Sequence, residues 1–166
     1  MNTTDEVLDW IDGQTRRMAG FVAGLTDDQL RARPLPSGWS MLGLLGHVQG
    51  STHFWLHHVL LGHPTALDED EAWPNDPAER GEEVVAGFLA GCRADVAAAR
   101  SAGLRADEQP RWWPEGAWGG YRQDAVLGVL LHLLADNAAH AGHLSIVREL
   151  TDGGVWDYEV GGVRVS

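Results

Sequence analysis

Lysine is absent from this chain of 166 residues, so its 12 positive charges are all arginine. They stand against 24 acidic residues, which gives a formal net charge of −12. A surface this acidic repels the phosphate groups of nucleic acids and of anionic membranes. We therefore expect no nucleic-acid partner and no membrane partner.

Cysteine is nearly absent as well, since Cys92 is the only one in the sequence. A lone thiol cannot form an internal disulfide, which suits a reducing compartment. Residues 1–6 lack the basic segment and the apolar run of a signal peptide. No run of the chain approaches the roughly 20 apolar residues of a membrane span. We expect a soluble, cytoplasmic protein in which Cys92 has a structural role.

Apolar residues recur at helical spacing in four long segments, which predicts four long helices. We expect these helices at about residues 4–25, 40–61, 78–101 and 123–150, with a short helical turn capped by Thr26. The absence of βα alternation predicts an all-α four-helix bundle with long loops, in a single domain of residues 1–166. The tail from about residue 154 is expected to be irregular or to form a short strand pair.

The fourth predicted helix is apolar nearly all round, which predicts that it is buried. It nevertheless carries a polar stripe of His132, Asp136, His140 and His143. An α-helix turns about 100° per residue, so Asp136 and His143 point within about 20° of each other. Ionisable groups on an inward face are costly unless they are paired or bind a metal. The stripe therefore indicates a metal site. The alternative is that its histidines are ordinary hydrogen-bonded core residues that have this spacing by chance.

A further ligand is expected from another helix, and His47 is the best candidate because it lies in an apolar part of the second helix. His53, His57 and His58 follow on that helix. His58 lies about 16 Å beyond His47 along the axis, so one ion cannot bind both. Imidazole and carboxylate ligands suit zinc, nickel, iron or manganese. Three protein ligands with an open position are typical of a catalytic site.

Tryptophan is abundant, with eight residues in the chain. Trp112, Trp113 and Trp118 lie in the irregular stretch before the fourth helix. They are interpreted as core or loop anchors, and the alternative is that they cover a pocket for a small ligand.

Three stretches of the chain together resemble a known family. They are Pro36-Ser37-Gly38-Trp39-Ser40 with the following Leu42 to His47, then Phe54-Trp55, and then the segment from His132 through His143 to Leu150. Their order and spacing are similar to the DinB-like superfamily. That superfamily includes the DinB damage-inducible proteins, the mycothiol- and bacillithiol-dependent S-transferases and the mycothiol-dependent maleylpyruvate isomerase-like metal-binding domains. The resemblance covers the chain to about Gly153 and implies a four-helix bundle around a divalent metal.

The resemblance also implies which residues hold the metal. The matching positions are His47, Asp136 and His140, with zinc or nickel as the expected ion. His143 lies just beyond the ligand pair, so the resemblance implies a pocket residue that acts as a general base or orients the ligand. Relatives usually carry Glu or His at position 136. The Asp136 side chain is one methylene shorter than Glu, which reduces its reach toward the ion.

The resemblance implies a divalent-metal-dependent thiol S-transferase or isomerase that acts on a small electrophile. The abundant alanine and glycine, with arginine in place of lysine, suggest a high-GC genome. Such a genome favours mycothiol among the thiols that the family uses. The competing hypothesis is a non-enzymatic stress-response protein that binds a metal or a small ligand on the same fold. We expect a homodimer in either case.

Overall fold

The computed structural model describes residues 2–66 and 78–165. Its helices are α1 (Thr3–Val22), α2 (Asp27–Arg31), α3 (Met41–His53), α4 (Gly81–Ser101) and α5 (Val126–Asp152). A π-helix (Phe54–Leu60) continues α3, and a 3-10 segment (Ala117–Gly120) precedes α5. These elements confirm the all-α class. The sequence predicts a loop over residues 63–77, and most of these positions lie outside the described residues.

Local capping chemistry sets several helix starts. The sequence predicts Ser40 as the cap of the second long helix, and its side chain accepts a hydrogen bond from the Gly43 N–H at 3.0 Å at the start of α3. Thr26 forms a capping box with Gln29 at the start of α2, as its sequence predicts. The third and fourth long helices begin three residues later than predicted, at Gly81 and Val126, because the residue before each is extended.

The first helix ends earlier than its apolar spacing predicts. Its last residue is Val22, and Ala23 is already extended. Gly24 follows with φ of +76°, a left-handed conformation that glycine adopts without steric cost. Leu25 therefore packs on the core from outside the helix.

The long helices pack around two apolar clusters. α1 contacts α4 and α5, and α3 contacts the same two helices. One cluster includes Phe21, Met41, Phe88 and Leu144, and the other includes Ile11, Leu56, Val96 and Leu130. These contacts are compatible with a four-helix bundle. The bundle arrangement and the single-domain extent of residues 1–166 stay predictions.

The prediction that the last helix is buried holds for one face only. Along α5, Leu130, Leu133 and Leu144 are fully buried, whereas Leu131, Ile146 and Leu150 are exposed. Apolar residues all round a helix therefore did not mean burial all round here. Among the described helices, none combines enough length and apolarity to cross a membrane.

The end of the chain folds back onto α1. Strands β1 (Val155–Asp157) and β2 (Gly162–Arg164) pair antiparallel, which confirms the predicted strand pair. The Trp156 ring packs against Phe21 with centroids 5.1 Å apart. Gly20 makes room for this ring, since a Cβ at that position would lie 2.7 Å from it.

A buried arginine ties α5 to the end of α1. Arg148 donates to the carbonyl oxygens of Phe21 and Ala23 at 2.9 and 2.8 Å. It also pairs with the Asp152 carboxylate through two hydrogen bonds of 2.9 and 2.8 Å. A buried guanidinium is tolerated because its donors are satisfied in this way. These bonds hold the second half of α5, which carries His140 and His143, against α1.

Candidate metal centre

His47, Asp136 and His140 come together between α3 and α5. Each offers one ligand atom, and these three atoms lie within 4.8 Å of one another. The rings of His47 and His140 are nearly perpendicular, with centroids 5.0 Å apart. His140 Nε2 lies 3.4 Å from Asp136 Oδ1. The structure thus gathers the same three residues that the sequence resemblance selects.

The three side chains differ in burial. His140 is 8% exposed, whereas His47 and Asp136 are half-buried. The hydrogen bond from His140 lowers the pKa of Asp136, and the charges of His140, His47 and His132 lower it further against the opposing effect of burial. Asp136 is therefore an ionised carboxylate at neutral pH.

This donor set fits a divalent transition metal. Two imidazoles and one carboxylate are ligands that zinc, nickel and iron accept. The ligand atoms already share one small volume, and the i,i+4 spacing of Asp136 and His140 places both on one side of α5. The shorter Asp136 side chain thus still reaches the group.

His143 lies outside this group. It is exposed one helical turn beyond His140, with ring centroids 5.7 Å apart. Its other neighbour is Trp39, at 6.1 Å between ring centroids. Spacing alone made His143 an equal member of the stripe with Asp136 and His140. The structure instead places it at the rim, beside the loop that precedes α3.

His132 is engaged on the other side of the site. Its Nδ1 lies 3.2 Å from the Tyr121 hydroxyl, and its ring packs edge-on against Trp55 at 4.8 Å between centroids. The stripe predicted on α5 is therefore divided among three environments. One of them is the candidate metal centre, another is the exposed rim with His143, and the third is an aromatic cluster.

The aromatic cluster consists of Phe54, Trp55, Trp113 and Trp118. Trp118 lies 5.4 Å from Trp55 and 5.7 Å from Phe54 between ring centroids. Its backbone is left-handed, with φ of +51°, which is uncommon for a bulky residue. Trp118 is also exposed. The loop tryptophans therefore pack on the π-helix, and part of the aromatic surface stays open beside His132.

Cys92 is fully buried, and burial raises the pKa of its thiol from 9.0 to about 12. The thiolate is the reactive form of cysteine, so this thiol is unreactive at neutral pH. These properties support the structural role that the sequence predicts for Cys92.

Sequence reasoning missed Asp95. This carboxylate is buried on α4, three residues after Cys92, and its Oδ1 lies 2.9 Å from His53 Nδ1. An acidic residue on the inward face of a helix is the signal that could have found it. Its partner on α3 could not be read from spacing within α4.

The fold and the site define a mostly helical protein with a candidate centre for a divalent metal built from two imidazoles and a carboxylate. A family model described as Mycothiol-S-transferase matches residues 6–153, and the chain belongs to this family. The match extends from α1 to the end of α5 and agrees with the DinB-like resemblance. A search of curated proteins and a search of solved structures each returned no match. The cytoplasmic location, the homodimer and the roles of the four site residues stay predictions.

Proposed function

We propose that the chain transfers a low-molecular-weight thiol, mycothiol, to a small electrophile in a reaction that depends on a divalent metal. His47, Asp136 and His140 hold the ion, with zinc or nickel as the expected metal. The observation that carries the proposal is the convergence of their three ligand atoms within 4.8 Å, in a chain of the mycothiol-S-transferase family.

The charge of the site suits a thiolate. Two neutral imidazoles and one carboxylate leave a net positive charge on a site that holds a divalent ion. A divalent ion held there would lower the pKa of a bound thiol and so favour its thiolate form. Three protein ligands also leave a coordination position open for that thiol.

A residue beside the centre, His143, accepts the proton that the thiol releases. His143 is exposed at the rim, next to His140 and Trp39. There it accepts the thiol proton as a general base and passes it to solvent. The sulfur then forms a bond to an electrophilic carbon of the second substrate. The bond from that carbon to its leaving group breaks, and the leaving group departs with the electron pair.

The open part of the aromatic cluster offers a place for the electrophile. His132 lies one helical turn before Asp136, about 6 Å along α5, and contacts both Trp55 and Tyr121. An apolar electrophile packed on Trp118 and Tyr121, both exposed, would lie beside His132, on the part of α5 one turn before Asp136. Burying apolar surface there stabilises the bound substrate by about 25 cal/mol per Å².

A thiol-conjugation assay tests this proposal. The protein is stripped of metal with a chelator, reloaded with zinc, and mixed with mycothiol and monobromobimane while conjugate fluorescence is recorded. Bacillithiol, glutathione and cysteine replace mycothiol in parallel reactions. We expect acceleration with mycothiol in the wild type and in His58→Ala, and its loss in His47→Ala and His140→Ala. A lack of acceleration with every thiol would contradict the proposal and favour a protein that only binds metal or ligand.

A further inference from the structure

A second group of metal-ligand residues lies on the other side of α3. His53, His57 and Asp95 each offer a ligand atom, and these atoms lie within 4.8 Å of one another. His53 is six residues beyond His47, which corresponds to about 9 Å along the helix and about 120° around it. The second group therefore faces α4, whereas the His47 group faces α5. The two groups share no residue.

The carboxylate of Asp95 is the buried member of this second group. Asp95 is 9% exposed, and among the described residues its ion-pair partner is His53, at 2.9 Å. A buried ionised carboxylate is costly unless positive charge and hydrogen bonds compensate for it. His53 supplies a full positive charge only when it is protonated. A bound cation would supply that charge at any pH at which the imidazoles are neutral.

The imidazoles are held close together at the start of the π-helix. The rings of His53 and His57 stack with centroids 4.6 Å apart, and His63 stacks on the other face of His57 at 4.2 Å. Burial lowers the pKa of His57, and the neighbouring imidazoles lower it further, that of His63 foremost. The neutral ring is the form that binds metal ions. Single π-helical turns are rare and are often found at functional sites.

We propose that His53, His57 and Asp95 form a second binding site for a divalent transition-metal ion. Two imidazoles and a carboxylate favour zinc, nickel or copper over magnesium or calcium. Ligand nitrogens about 2.0–2.1 Å from one zinc ion lie about 3.3 Å apart. The rings therefore move closer on binding, and the exposure of 47% of the His53 side chain leaves space for that movement.

His58 provides a matched control within the same segment. It is the neighbour of His57, but its Nδ1 lies 2.5 Å from the His63 carbonyl oxygen, and it is not among the three residues whose ligand atoms converge. Replacing His58 removes an imidazole of the same chemistry without removing a proposed ligand.

Zinc stoichiometry tests the second site independently of the proposed function. Metal-stripped full-length protein is titrated with zinc against a chromophoric chelator. We expect the His53→Ala/His57→Ala variant to bind one equivalent fewer than the wild type, and His58→Ala to bind as many as the wild type. The variant His47→Ala/His140→Ala should keep the equivalent that depends on His53 and His57. Equal stoichiometry in wild type and the His53→Ala/His57→Ala variant would overturn the proposal, whatever the fate of the other centre.

A measurement on the unchanged protein covers the case in which the double variant does not fold. Ring ¹⁵N resonances of all histidines are recorded before and after zinc is added. We expect a nitrogen of His53 and a nitrogen of His57 to shift on saturation, while the Nδ1 of His58 keeps its resonance. Unchanged ring nitrogens in both His53 and His57 would contradict the second site.

Discussion

The two candidate metal groups, one on each side of α3, contain the same kinds of donor. They differ in which donor is buried. In the first group the imidazole of His140 is buried and the carboxylate of Asp136 is half-buried. In the second group the carboxylate of Asp95 is buried and the imidazole of His53 is exposed. A buried imidazole can stay neutral, whereas a buried carboxylate in its ionised form needs a compensating charge. Donor identity alone therefore does not distinguish an interior centre from a surface site.

This difference in burial also determines which properties of the protein a substitution in each group should affect. The first group joins α3 to α5, where His140 is packed and its carboxylate neighbour is one turn away. The second joins α3 to α4 through a buried carboxylate and an imidazole stack near the surface. We expect substitutions in the first group to lower zinc binding and activity, and substitutions in the second group to lower zinc binding and stability.

The largest expected effect follows from removing His140. The His140→Ala variant should lose mycothiol-dependent conjugation by more than about 100-fold, since loss of a direct ligand exceeds the 10–100-fold typical of outer partners. Conjugation rates with zinc-loaded proteins measure this. His58→Ala serves as the control and should keep the wild-type rate. A His140→Ala rate near that of the wild type would remove this residue from the catalytic centre.

The next largest effect, on zinc affinity, is expected from changing Asp136, the carboxylate of the first group. Asp136→Asn keeps the size of the side chain and removes its charge, so zinc should bind at this centre at least about 10-fold more weakly. Asp136→Glu keeps the charge and should retain affinity close to that of the wild type. Competition titration with a chelator of known affinity measures both. Equal zinc affinity in Asp136→Asn and wild type would show that the carboxylate is not a ligand.

Substitutions in the second group should change the unfolding free energy of the metal-free protein. His53→Ala leaves the Asp95 carboxylate buried without its partner, which should cost about 1–3 kcal/mol of unfolding free energy. The same substitution in an Asp95→Asn background should cost less, because the buried charge is gone. Urea unfolding of the four proteins in a chelator gives the coupling. Additive effects would contradict an interaction between these residues.

The smallest expected effect, measured from pH 8 to pH 10, concerns Cys92, which lies next to the second group. Its pKa is raised from 9.0 to about 12 in the folded protein, so only the unfolded chain releases the thiol proton between these values. The thiol's contribution to stability is therefore full below about pH 9 and falls as the pH rises toward 12, by up to about 1.4 kcal/mol per pH unit.

Comparison with Cys92→Ala isolates this contribution. The difference in unfolding free energy between wild type and variant should shrink from pH 8 to pH 10 in urea titrations. A constant difference over that range would mean that the thiol has an ordinary pKa in the folded protein.

The sequence anticipates one of the two groups and not the other. His140 and Asp136 were predictable because i,i+4 spacing is visible within one helix. His47 was the best further candidate because of its apolar setting, and the family resemblance also selects it. Asp95 was not, because its pairing with His53 depends on how α3 and α4 pack. The π-helix was not predictable either, since the apolar spacing of residues 40–61 fits an ordinary helix. The exposure of Leu131, Ile146 and Leu150 likewise depends on which face of α5 the other helices cover.

The most direct test of the central claim is the rate of mycothiol conjugation as zinc is returned to metal-stripped protein. The account predicts a rate near the uncatalysed background before zinc, a rise of more than about 100-fold in the wild type, and no rise in His47→Ala. Full activity in the stripped wild type would contradict it. So would recovery of the wild-type rate when zinc is added to His47→Ala.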